Sequence, residues 1–152
     1  MLFLCIAITR EVIIVMYYLI YISTAIKLLT EEELRGILIT SRKKNIAKGI
    51  SGLLLYSEGV FIELLEGDKM EVILAYKKIE IDRGHTNLII LSTGESSERL
   101  FSEWCMGYTT ENTTSNQKMP GYINPSTLNL ADADSENPAI IALKTFVDDH
   151  HL

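Results

Sequence analysis

The sequence predicts an α+β fold: a ferredoxin-like β-α-β-β-α-β-β sheet with two helices on one face and a further C-terminal helix. Three observations predict it. Apolar, β-branched runs at 17–23, 52–56, 60–65, 87–93 and 103–109 read as strands. Two stretches between them carry helical spacing and open on capping signatures. The link Ser57-Glu58-Gly59 is short and contains glycine, which marks a hairpin between the second and third strands.

The first helix starts at Thr30, with Glu33 completing a capping box and Leu29 and Leu34 placed as a hydrophobic staple. Glu31, Glu32 and Glu33 suit the positive end of the helix dipole, and Leu34, Ile37 and Leu38 supply an apolar stripe. The helix is expected to end between Asn45 and Gly49. Gly67 ends the third strand, and Asp68 caps a second helix with Glu71 at the matching position. Val72, Ile73, Tyr76 and Ile79 form its inward stripe. Residues 110–138 are polar, hold three prolines and read as loop. Pro138 then opens an apolar helix with Ile140, Ile141, Leu143, Phe146 and Val147. Its simplest resting place is the open face of the sheet, and the alternative is a partner subunit.

Three segments are expected: an N-terminal extension at 1–15 with Met16 as a second candidate start, a domain at 16–110, and a loop with a capping helix at 111–152. The apolar N-terminus is interrupted by Arg10-Glu11, so it lacks the roughly 20 uninterrupted residues of a membrane span. It also lacks the basic start of a signal peptide. A net charge of −6 argues against nucleic acid as the main partner, because phosphate binding needs a basic face. Cys5 and Cys105 follow no metal-ligand spacing and read as reduced, small apolar residues, consistent with a cytoplasmic protein.

No serine stands in a Gly-x-Ser-x-Gly elbow, and His85, His150 and His151 are not spaced as ligands, so neither a hydrolase nor a metalloenzyme is expected. An acylphosphatase-type enzyme on the same sheet would need an anion-binding loop with a positioned arginine, and none is found. Glu63 stands out instead. It lies in Val60-Phe61-Ile62-Glu63-Leu64-Leu65 and shares a face with Phe61 and Leu65. Either that strand is an edge with Glu63 in solvent, or a carboxyl group sits in a core and must be paired, neutralised or used.

Four motifs recur in order: Tyr-x-Ser at Tyr21, Gly-Ile-Ser-Gly-Leu-Leu from Gly49, Phe-x-x-Leu-Leu-Glu-Gly from Phe61, and Arg-x-Phe-x-x-Trp-x-Met-Gly from Arg99. Together they resemble the BLUF family of blue-light sensors that use FAD, over about Tyr17 to Tyr108. The resemblance implies a flavin held between the two helices, with FAD first and FMN or riboflavin as smaller alternatives. It implies Tyr21 as the redox-active tyrosine, Asn45 as a partner of the flavin carbonyl side, and Trp104 and Met106 as the light-responsive pair. Ser23, Ile37, Phe61, Glu63, Arg83 and His85 complete the implied cofactor-binding set.

Two departures stand out. The family carries glutamine where this chain has Glu63, and an amide both donates and accepts while a carboxylate only accepts. The family's Asp-x-Arg-His becomes Asp82-Arg83-Gly84-His85, which turns Arg83 about 100° around a helix end. A blue-light photoreceptor with a photocycle shifted or blocked by Glu63 is expected, signalling by contact with a downstream protein or as a homo-oligomer. A BLUF-derived interaction module without flavin is the alternative.

Overall fold

A computed structural model describes residues 15–109, 119–130 and 136–152. The N-terminal extension, Cys5 and parts of the 110–138 loop lie outside the described residues. The elements run β1 (Met16–Ala25), α1 (Glu31–Ala47), β2 (Ser51–Ser57), β3 (Val60–Gly67), α2 (Lys69–Glu80), β4 (His85–Ser96), β5 (Trp104–Tyr108) and α3 (Pro138–Asp149), with a 3₁₀ turn at Pro125–Thr127 before α3. The expected element order is present. β4 exceeds the expected 87–93 because polar residues at both its ends also pair with β1.

The sheet order is β4-β1-β3-β2-β5. All neighbours are antiparallel except β2 and β5, which run parallel. β3 is therefore central, and the solvent-edge reading of Glu63 does not hold. Side chains alternate across the sheet. Leu19, Tyr21, Leu54, Tyr56, Phe61, Leu65, Trp104 and Met106 face α1 and α2. Tyr18, Ile20, Leu53, Leu55, Ile62, Leu64 and Cys105 face α3. With both faces covered, β2 and β3 are buried along nearly their whole length, hence their continuous apolar runs.

Both helix starts follow the sequence signals. The Thr30 hydroxyl accepts from the Glu33 amide, and an Asp68 carboxylate oxygen accepts from the Glu71 amide. Such caps are each worth about 1 kcal/mol. α3 rests on the open sheet face through Ala139, Ile140, Leu143 and Phe146. Ile141, expected in the buried stripe, is exposed, because it lies 100° around the helix from Ile140 while Ala139 takes the inward place. The outer edge of β5 is covered. Met106 donates its amide to the Gly121 carbonyl and accepts from the Ile123 amide. The outer edge of β4 carries exposed Ile89, Ile90 and Leu91.

The Gly-Ile-Ser-Gly motif has a steric cause. Gly52 sits at φ +148°, and a Cβ there would overlap the Leu64 carbonyl of the neighbouring strand. Gly52→Ala should therefore lower unfolding stability by more than about 2 kcal/mol. The midpoint of a urea melt followed by circular dichroism measures it, and an unchanged midpoint would contradict the steric account.

Candidate functional site

The register sets five residues in one row across the sheet. Ile90 pairs with Tyr21, Tyr21 with Glu63, Glu63 with Leu54 and Leu54 with Met106. Glu63 is thus at the middle of the sheet, on the face beneath α1 and α2. α1 packs over β5 and α2 over β1 and β3, so the row crosses the strip between them.

Glu63 is only 4 % exposed. Its two oxygens have separate donors. The Tyr21 hydroxyl donates to Oε1 at 2.7 Å, and the Trp104 indole N–H donates to Oε2 at 3.0 Å. Trp104 is not in the same row. It pairs with Gly52, and its long side chain reaches Glu63 diagonally. Both donors are neutral, and among the described residues no basic side chain pairs with the carboxylate. Burial, the largest influence, lifts the Glu63 carboxyl to about 7 against the lowering effect of the two hydrogen bonds. The Tyr21 phenol is held well above its usual value, first by burial and then by the Glu63 charge. Tyr21 is therefore protonated at neutral pH and donates.

A second polar pair lies beside the first. The Ser23 hydroxyl is 2.9 Å from His85 Nδ1, and His85 Nε2 is 2.6 Å from the Ile79 carbonyl oxygen. A carbonyl can only accept, so Nε2 carries the proton and, in the neutral ring, Nδ1 accepts from Ser23. This pair ties β1, the end of α2 and the start of β4 together. The His85 ring stands edge-on to Tyr21 and Phe61, with centroids 6.5 and 6.4 Å away.

The remaining expected residues divide. Met106 is fully buried in the same cluster, and Ile37 packs against it from α1. Asn45, near the C-terminal end of α1, is 8 % exposed. Its carbonyl accepts from the Lys48 and Ile50 amides, while its carboxamide has no partner among the described residues. Arg83 is exposed in the turn after α2 and is not brought to the cluster. Tyr76, read from the sequence as part of a helix stripe, stands edge-on to Tyr21 with centroids 5.4 Å apart. Its helical spacing signalled burial but nothing about which strand residue it would meet. Among the described residues no group of His, Cys, Asp or Glu could hold a metal, and no helix is long and apolar enough to cross a membrane.

Comparison with known proteins places this geometry. The chain is similar to the photoactivated adenylate cyclase subunit beta of Euglena longa, at 34 % identity over 94 residues, covering 61 % of this chain and 11 % of that protein. It thus spans about a tenth of such relatives. Among solved structures it is similar to a bacterial light-regulated adenylyl cyclase, at 32 % identity and TM-score 0.60, covering 90 % of this chain and 35 % of the other. It is also similar to BlsA in its photo-activated state, at 28 % identity and TM-score 0.58, covering 89 % of this chain and 94 % of the other. Residues 16–107 match the family described as sensors of blue light using FAD, and the chain belongs to that family, BLUF.

Proposed function

We propose that this chain is a blue-light sensor that holds a flavin, FAD first, between α1 and α2 and signals by contact with another protein. The single observation that carries the reading is the buried Tyr21–Glu63–Trp104 network under those helices. A flavin ring system carries carbonyl oxygens and ring nitrogens that need polar partners. The residues present fit such a group. Asn45, 8 % exposed near the end of α1, carries a carboxamide able to donate and accept. Glu63 has a proton to offer whenever it is in its acid form. Bound there, the flavin would supply the absorption of blue light.

The charge on Glu63 decides what the network does. Ionised, it accepts from Tyr21 and Trp104 with both oxygens and is the ready acceptor for the Tyr21 proton, 2.7 Å away. Protonated, it cannot take that proton. It carries an O–H whose proton needs an acceptor: the Trp104 indole cannot accept, and while the Tyr21 hydroxyl donates to Glu63 a flavin carbonyl meets that need. A glutamine would offer an N–H at every pH. This chain substitutes a group that offers a proton only below about pH 7. The output we propose is contact with a separate effector. The relatives named photoactivated adenylate cyclases show that an enzyme is one kind of output in this family. The exposed Arg83 favours a second reading, an interaction module that has lost flavin.

Protein expressed with ample FAD is expected to be yellow, and its lit-minus-dark spectrum should change across pH 6 to 8 with a midpoint of about 7. Glu63→Gln should give a reversible red shift with no such pH dependence. A colourless protein would support the second reading, and a pH-independent red shift of ordinary size in the parent would sink the role given to Glu63.

Stability gives an independent check. The folded-state pKa of Glu63 lies above its ordinary value of 4.5, so the unfolded chain releases this proton first as pH rises. The associated stability is complete below about pH 4.5 and is lost as pH rises to about 7. Urea unfolding at pH 5 and pH 8 should show the parent losing about 2.5 kcal/mol relative to Glu63→Gln over that interval. A parallel pH dependence in the two proteins would contradict it.

A further inference from the structure

A second buried carboxylate lies three residues beyond Glu63. Glu66 is 2 % exposed and lies one residue before the end of β3, on the α3 side of the sheet. Its Oε1 accepts the Leu100 amide at 2.7 Å, and its Oε2 accepts the Phe101 amide at 3.0 Å and the Ser51 hydroxyl at 3.4 Å. Arg99 clamps the same segment to the start of β2. It donates to Ser51 Oγ at 2.7 Å, to the Glu66 carbonyl at 3.3 Å and to the Gly49 carbonyl at 2.9 Å. From the other side, Arg42 of α1 donates to the Trp104 carbonyl and to Glu103 Oε2. The Glu-Gly end of one motif and the Arg-x-Phe start of another are thus parts of one anchor.

The anchor sits where the chain changes faces. Leu100 and Phe101 pack against the α3 cluster, and three residues later Trp104 is fully buried on the α1–α2 face. The backbone between them has little slack, so fixing two successive amides fixes the entry of β5. A hollow of about 350 Å³, lined by Gly49, Ser51, Arg99, Ser102 and Glu103 among others, borders the segment and leaves it room to move when released.

We propose that Glu66 is a positioning residue for Trp104: by holding the Leu100 and Phe101 amides it sets where β5 enters the sheet, and so where the indole meets Glu63. A carboxylate suits this task because both of its oxygens accept. A glutamine would turn one of the two contacts into donor against donor. The consequence for light sensing rests on the function proposed above, but the seat of Trp104 does not.

Trp104 is the only tryptophan, so its emission reports the seat directly in protein without flavin. Losing a charge-assisted hydrogen bond should raise the detached population of the segment roughly tenfold. In Glu66→Gln this is expected as red-shifted emission and faster quenching by acrylamide at a temperature where the fold is intact. Leu143→Ala, which loosens the α3 cluster but leaves the Glu66 hydrogen bonds to the segment in place, should lower stability comparably and leave both readouts unchanged. Parent-like emission and quenching in a destabilised Glu66→Gln would overturn the proposal, as would an equal change in Leu143→Ala. If Glu66→Gln does not fold, Arg99→Lys should shift both readouts in the same direction, and no shift there would also overturn it. A colourless protein with these shifts would sink the light-sensing reading alone.

Discussion

A carboxyl group in the middle of a covered sheet governs the rest of this structure. Taking a carboxylate out of water costs several kcal/mol even after relaxation, and among the described residues no cation offsets it. Two hydrogen bonds to the charged form return about 1.5–3 kcal/mol each. The two sides nearly cancel, which is why burial raises the Glu63 proton affinity only to about neutrality instead of abolishing ionisation. That balance constrains three elements at once. β1 must present Tyr21 directly opposite Glu63, β5 must bring Trp104 within diagonal reach, and α1 and α2 must keep water off the face.

The same strand serves both layers. β5 sends Trp104, Met106 and Tyr108 to the α1–α2 side and Cys105 to the α3 side, while its outer edge is bonded to the segment leading to the 3₁₀ turn. A displacement of the indole is therefore opposed by contacts on two faces and one edge. Packed interiors pass such displacements on as discrete rearrangements.

Local chemistry made much of this legible in the sequence. Thr30, Asp68 and Pro138 announce helix starts by the hydrogen bonds they can accept or do not need, and Ser57-Glu58-Gly59 announces a hairpin by the positive φ it requires. The face of Glu63 was not decidable that way. An apolar run with one acid looks the same on an edge strand as in the centre, and strand order is set by long-range pairing. Tyr76 and Glu66 were hidden for related reasons. The stripe of α2 shows that Tyr76 is inward but not that it meets Tyr21, and Glu66 gains its role from a segment 34 and 35 residues away. Of the residues implied by the BLUF resemblance, Tyr21, Phe61, Trp104 and Met106 share one buried cluster with Ile37 against it and Glu63 bonded within it, while Arg83 is in solvent.

The covered edge of β5 has a further consequence for growth of the sheet. A strand ladder propagates when both of its outer strands can accept a newcomer. Here Gly121 and Ile123 occupy the hydrogen-bonding groups of Met106, while β4, the outer strand among the described residues, has an apolar middle and no lysine, arginine or proline. Strand-to-strand addition through β4 would join two sheets and leave a closed strand at either end. Among the described residues, pairing by this route would therefore stop at two copies, a geometric brake on fibre formation in a chain whose middle strands are rich in leucine.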